Sequence, residues 1–416
     1  MGRTFSIFTT STIPWRTGTS INPLLRGIEL TRFGRVVFVL PYLVRSEDRR
    51  CLYGDADISS RTDQEVIVRQ WIRDNCDSRL SSNEIAIVWY DAIYIEVVGS
   101  IVQMSYMDLP TLVPSNMRDV AILEEPERLG LYHRGHSFKK FYNVCIGIIH
   151  TNYAFYANQT VSASWLLQIA RTTRSIVFPS LARHHVDISV HISGATAPKR
   201  PSKHDAIEAV HGVRMPFTQV RTCAPRPTLY FVGKATWCKG YNILHDLYET
   251  FRDLPMLHSY GCGNNYDDVV TSIRDRGLNI MHREGIDHIK IPHHIFVNPS
   301  MSDSLCTTTM EAIAMSRVVV IPDHISNHYY LNFSNVFRYD PNDLGALRDA
   351  ILRATRYKPQ RLSHAETRML TWKHATARLM NIMDDVIPDN RKYHYPCLWK
   401  YATAIVCTKE QAEHAR

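Results

Sequence analysis

The chain has 416 residues, 45% hydrophobic and 21% charged, an ordinary globular balance that excludes a disordered chain, a coiled coil and a fibrous repeat. At roughly 100–200 residues per domain, that length calls for two or three domains. The formal net charge is +8, which suits an anionic partner: nucleic acid, an anionic membrane surface or a phosphorylated substrate.

The N-terminus lacks a charged-then-apolar-then-small leader. Met1-Gly2 with Ser6 fits a loose myristoylation pattern, but residues 4–9 read as a first β-strand that would hold Gly2 against the fold. Further strand-like runs stand at 36–40, 85–88, 120–123, 144–150, 175–178 and 186–189, alternating with helical patterns. That alternation is the mark of α/β units on a parallel sheet. The most apolar stretch, 85–102, carries Asp91 and Glu96 and many β-branched and aromatic residues. It reads as two buried strands, since a membrane-spanning helix needs ~20 nearly uncharged residues. The stretch 165–185, with Arg171, Arg174 and Arg183, fits either an anionic membrane face or an internal helix followed by a strand. A loop rich in Pro, Lys and Ser occupies 198–204, and the pattern restarts beyond a junction at 216–227. Strands are expected at 228–232, 256–260, 295–297, 318–321 and 336–339, with helices at 241–251, 267–276, 308–315 and 344–355. The reading is two doubly wound α/β domains, 1–215 and 216–385, and an aromatic, basic segment 386–416 that packs back on the first, with contact to a membrane face as the alternative. Ligands of open α/β sheets sit beyond the carboxyl ends of the strands, so the site belongs in the cleft between the domains.

Nine cysteines are scattered along the chain without a Cys-x-x-Cys pair, which argues against a disulfide framework or a zinc knuckle and for a reducing compartment. The sequons at Asn158 and Asn332 then carry no meaning. The histidine pair His184-His185 and the group His282, His288, His293 and His294 match no zinc spacing and read as surface or cleft histidines. Basic residues are dispersed and form no RNA or DNA module, which sets nucleic acid aside.

Three segments carry chemistry. In the first, a strand runs through Phe8 into a loop with Gly18 and Thr19, followed by a helix with Pro23 near its start; such a loop lets a sugar or phosphate approach backbone closely. In the second, a strand ends at Gly233 and is followed by Lys234 and Lys239, cations placed to neutralise a departing diphosphate. The third runs from Asn298-Pro-Ser through Asp303-Ser304-Leu305-Cys306-Thr307 to Glu311 and Met315. It has an acid-x7-acid spacing, with Asp303 on a loop and Glu311 on a helix that begins near Thr307. The free N–H groups of that helix can hold a phosphate. One carboxylate can then grip sugar hydroxyls and the other a ribose diol.

Together with Leu123-Glu-Glu-Pro-Glu127, Tyr132-His133, Ile146-Gly-Ile-Ile-His150, His211-Gly-Val213 and Gly233-Lys234-x-x-Trp-x-Lys-Gly-Tyr241, these segments resemble the digalactosyldiacylglycerol synthases of plants and algae, retaining glycosyltransferases of family four. The likeness spans about residues 4 to 340 in the family's order. It implies two Rossmann-like domains in the GT-B arrangement, a UDP-galactose donor, a monogalactosyldiacylglycerol acceptor and transfer with retention, without a metal ion or other cofactor. It further implies that Lys234 and Lys239 bind the diphosphate, Glu311 the ribose and Asp303 the galactosyl hydroxyls. Gly18 and Thr19 would line the donor pocket, with Gly233 and residues 304–307, and His150 would contact the donor sugar. The expected setting is the cytosolic face of a plastid outer envelope, with peripheral contact to anionic lipid and no cleavable transit peptide. Another UDP-sugar, another glycolipid acceptor, or an inactive lipid-binding protein on the same fold are the alternatives. Two departures stand out. Ser316 replaces a usual glycine, which bears on helix packing near the donor, and Arg134-Gly-His-Ser-Phe138 replaces His-Gly-Lys-Arg-Trp, which bears on the acceptor side.

Overall fold

The computed structural model describes residues 3–54, 56–76, 85–96, 99–151, 180–220 and 227–386. The first domain carries β1 (Arg3–Phe8), β2 (Gly34–Leu43), β3 (Ile85–Ile95), β4 (Ser100–Gln103), β5 (Val120–Glu124), β6 (Val144–Ile149), β7 (Ile188–His191) and β8 (Asp205–Ile207). They form one sheet in the order β4-β3-β2-β1-β5-β6-β7-β8, parallel throughout except for the antiparallel β3–β4 pair. Among the described residues its helices include α1 (Gly18–Leu30), α2 (Ser46–Tyr53), α3 (Arg61–Asn75) and α4 (Pro126–Tyr132). The run Val36-Val37-Phe38-Val39-Leu40 is buried on both faces, as a central parallel strand covered by helices requires.

After α5 (Met215–Gln219), the second domain builds β9 (Leu229–Val232), β10 (Leu257–Tyr260), β11 (Ile280–Arg283), β12 (Ile295–Val297), β13 (Val318–Pro322) and β14 (Val336–Tyr339). This sheet is ordered β11-β10-β9-β12-β13-β14, every pair parallel. Its helices are α6 (Tyr241–Thr250), α7 (Tyr266–Asp275), α8 (Thr307–Ala314) and α9 (Leu344–Arg356). Two strands escape the sequence pattern. Both β8 and β11 are sheet edges, and each has exposed or half-buried positions in place of an unbroken apolar run.

The chain then returns to the first domain through α10 (His364–Met369) and α11 (Trp372–Asp385). The return begins before residue 386, since α11 already packs against the first domain. Val213 N–H donates to the Leu370 carbonyl at 2.8 Å, and Arg378 Nε donates to the Ala209 carbonyl at 3.0 Å. Arg3 pairs with Asp384 at 2.7 Å, while Trp372 and Ala375 pack on Leu25 of α1. Gly212 makes the crossing possible: a Cβ there would come within 2.3 Å of the Trp372 backbone nitrogen. The expected strand at 175–178, Arg171 and Arg174, and the tail from 387 lie outside the described residues.

Ser316 acts on the fold through its backbone. It follows α8 with φ 56°, its N–H bonded to the Ile313 carbonyl at 2.8 Å and the Arg317 N–H to Ala312 at 3.0 Å. This is a Schellman cap whose left-handed residue is ordinarily glycine. Of the other divergent segment, Phe138 is fully buried against the Phe8 ring, with centroids 4.8 Å apart, so that position serves the first-domain core.

Candidate active site

In both sheets the strand order reverses beside the first strand of the domain, between β1 and β5 and between β9 and β12. Loops at such switch points splay apart and leave a crevice. The two crevices face one another and enclose a cavity of about 370 Å³. Its walls are Thr17, Gly18, Thr19 and Asn22 around the start of α1, His150 and Thr151 after β6, and Ile192 and His211. Across the cleft stand Gly233, Lys234 and Lys239 after β9, and Asn298 with residues 302–308 after β12. The structure thus brings together Gly18, Thr19, His150, Gly233, Lys234, Lys239, Asp303, Ser304, Leu305, Cys306 and Thr307. Glu311 is not in the wall; it lies one turn further along α8. Gly18 is also not a loop residue, since α1 begins with it.

The second-domain wall hangs on Asn298 at the end of β12. Its side-chain amide donates to Cys306 Sγ at 3.2 Å and to Thr309 Oγ1 at 3.1 Å, while its Oδ1 accepts from the Ser300 N–H at 3.0 Å. The intervening loop is thereby folded tightly and delivers Asp303 beside Lys239, whose ammonium donates to its carboxylate. Burial pushes the Asp303 carboxyl up, but the Lys239 charge and hydrogen bond more than offset that and hold it below its ordinary value. Gly240, φ 90°, ends the lysine loop; a Cβ there would lie 2.7 Å from Pro299, so both its conformation and its proximity require glycine. Lys234 is exposed and forms no ion pair among the described residues. The first turn of α8 has no acidic residue and no side-chain cap, so its N–H groups and positive dipole end open onto the cavity beside both lysines.

The first-domain wall differs in kind. The N-terminus of α1 also lacks a carboxylate and a side-chain cap, and a network of hydroxyls surrounds it. Ser11 and Thr19 are 2.8 Å apart, Thr17 and Ser20 3.0 Å. Behind it Arg26 and Glu124 are both fully buried; Arg26 Nε donates to Glu124 Oε1 at 2.8 Å and its Nη1 to the Val210 carbonyl at 2.7 Å. The other Glu124 oxygen accepts from His150 Nε2. Burial alone would raise the Glu124 carboxyl, yet the Arg26 charge and the His150 hydrogen bond hold it at about 2. The His211 ring lies 5.1 Å from that of His150 and 5.7 Å from Trp372. Burial, with His150 and Arg26 nearby, pushes His211 well below the ordinary histidine range, so it stands neutral at pH 7. Ser193 joins the walls by donating to the Ser304 carbonyl.

The sequence reading assigned no role to Glu124, His211, Asn22 or Arg26. Glu124 and His211 sit inside segments that carry the family resemblance, so a signal existed; Arg26 is one arginine on a helix, with nothing local to mark it. The histidine reading needs correction: His185, His288 and His293 are buried, not surface groups. Among the described residues no cluster of three or more His, Cys, Asp or Glu side chains is arranged to hold a metal ion, and no helix is long and apolar enough to cross a membrane.

No family model matches the chain. Curated relatives do. It is 32% identical over 397 residues to digalactosyldiacylglycerol synthase 2, chloroplastic, of Arabidopsis thaliana, covering 91% of this chain and 81% of that protein. The chain belongs to the digalactosyldiacylglycerol synthase family. Synthase 2 of Glycine max is 30% identical, with 93% of this chain and 84% of that protein covered. Against synthase 1 of Lotus japonicus the identity is 31%, and the chain spans only 49% of that longer relative. Solved structures show the same GT-B fold at low identity. A sucrose-phosphate synthase of Thermosynechococcus elongatus superposes with TM-score 0.61 at 14% identity, over 91% of this chain and 98% of that one. Anabaena HepE in complex with UDP gives 0.58 at 11%, over 92% and 100%. This synthase family member is thus a two-domain GT-B protein.

Proposed function

We propose that the protein transfers galactose from UDP-galactose to monogalactosyldiacylglycerol, with retention, giving digalactosyldiacylglycerol. The observation that carries this reading is the cleft itself. Two uncapped helix N-termini and two lysines converge on one cavity that a carboxylate and a held histidine complete, and the chain aligns to the synthases over nine tenths of its length. The diphosphate lies against the α8 N-terminus, Lys234 and Lys239, so its charge is met by the chain's own groups and no metal ion takes part. Lys239 starts from its pair with Asp303 and bridges carboxylate and phosphate when the donor enters. Asp303 and His150 hold galactosyl hydroxyls, Gly18 and Thr19 let the donor pass close to α1, and Glu311 takes the ribose.

In the proposed step the bond from the sugar's anomeric carbon to UDP breaks as the lysines and helix dipole absorb charge on the leaving diphosphate. The acceptor's primary hydroxyl bonds to the same face of the oxocarbenium-like sugar and gives its proton to the departing phosphate oxygen. The proposed setting is the plastid outer envelope, with the protein peripheral on the cytosolic face; the name "chloroplastic" of the relatives supports the plastid part. The test is purified protein with radiolabelled UDP-galactose or UDP-glucose against several glycolipids, with the product linkage read by NMR. A galactosyl product α-linked to the galactolipid is expected. Another sugar or acceptor would replace that half of the reading, and no UDP binding at all would favour an inactive lipid-binding protein.

A further inference from the structure

On α8 the partly exposed side chains Thr307, Thr308 and Glu311 form one stripe, while Thr309, Met310, Ala312, Ile313 and Ala314 face the core. The two threonines line the cavity, and the Glu311 side chain, on the same stripe, is 21% exposed. One of its oxygens is already engaged: Oε2 accepts from His288 Nδ1 at 2.9 Å. The His288 side chain is only 4% exposed, and its Nε2 lies 2.9 Å from the hydroxyl of Tyr230, which is fully buried on β9. The guanidinium of Arg317 stands over the Tyr230 ring at 5.0 Å and is anchored on the Ile291 carbonyl at 2.6 Å. An ionised carboxylate can only accept, so His288 Nδ1 carries a proton and donates it in the hydrogen bond to Glu311, while Nε2 stands within hydrogen-bond reach of the Tyr230 hydroxyl. The contacts run from Tyr230 on β9 through His288 to Glu311, on the same helix face as the two threonines that line the cavity.

We infer that His288 is a positioning residue: it fixes Glu311 with one oxygen turned inward and the other presented as an acceptor to the 2′-hydroxyl of a bound nucleotide's ribose. The ligand class is then a ribonucleoside diphosphate, distinguished from its 2′-deoxy form. The inference rests on the nucleotide-sugar reading above and adds what holds the ribose carboxylate.

Calorimetric titration of the full chain with UDP and with 2′-deoxy-UDP tests it. The wild type is expected to bind UDP about tenfold or more tightly than the deoxy nucleotide, the scale of a hydrogen bond to a charged group. His288→Ala should weaken UDP about tenfold and leave 2′-deoxy-UDP within about twofold, so that discrimination collapses. His288→Asn, with an amide N–H near the place of Nδ1, should keep most of it. Tyr230→Phe removes only the hydroxyl, should also reduce discrimination, and carries the test if circular dichroism shows His288→Ala unfolded. Equal losses for both nucleotides, or undiminished discrimination in folded variants, would overturn the positioning role. A wild type that binds both nucleotides equally overturns the ribose assignment alone; one that binds neither overturns the nucleotide-sugar reading and this inference with it.

Discussion

The two walls of the cleft are made alike, from loops beyond the carboxyl ends of parallel strands, but they hold their charges differently. In the first domain Arg26 and Glu124 are wholly buried, and the His150 side chain they support is 6% exposed. In the second, Lys239 and Asp303 pair within the cavity wall with 24% and 14% of their side chains exposed, and Lys234 is exposed beside them. A buried pair is fixed, because breaking it leaves a charge without water or partner. A partly solvated pair exchanges partners at little cost. One wall is therefore a rigid template, and in the other a cation is poised to be shared between its internal partner and a phosphate.

The sharpest way to break this contrast is on the exchanging wall. Lys239→Ala should lower turnover by about 10²–10³-fold, the scale of losing one fixed transition-state charge, with the melting temperature nearly unchanged; activity and melting are measured on the same preparation. On the rigid wall the order reverses, and stability suffers first. Glu124→Gln leaves Arg26 buried without its carboxylate and should cost about 3 kcal/mol at pH 7. That cost has a pH signature. The Glu124 carboxyl is held from its ordinary 4.5 to about 2, so its contribution is complete above pH 4.5 and is lost as pH falls toward about 2. The gap between wild type and Glu124→Gln, followed by denaturation across that range, should close on acidification; a constant gap would contradict the charged pair.

Lys234→Ala should cost less than Lys239→Ala, about tenfold in turnover, because an exposed ammonium works through more water. Equal effects of the two lysines would mean that the Asp303 pairing confers nothing on Lys239. The smallest expected effect is a gain. Ser316→Gly relieves a left-handed serine and should add about 0.5–1 kcal/mol of stability, seen as a slightly higher melting temperature at unchanged donor KM. A changed KM would return that position to the donor site.

Much was legible along the chain because the signals were local. Unbroken apolar runs such as 36–40 mark buried parallel strands. The Asn-Pro-Ser turn and the threonines at 307–309 mark an open helix start, and lysines just past a strand end mark a phosphate-facing loop. Each depends on residues within a few positions of one another, so backbone chemistry suffices. Other features arise from residues far apart in the chain. Arg26, Glu124, Val210 and Trp372 meet only because four separate segments converge. His288 ceases to be an ordinary surface histidine only when β9 and α8 close over it, and Lys239 and Asp303 become a pair only when two loops face each other. The sequence by itself determined the α/β class, the two domains and the charged residues of the cleft wall, with its second-domain loop from Asp303 to Thr307. Tertiary structure alone decided which charges are locked, which are exchangeable, and where the chain recrosses to the first domain. The physical reason is that burial and pairing belong to contacts between distant segments, which local pattern does not encode.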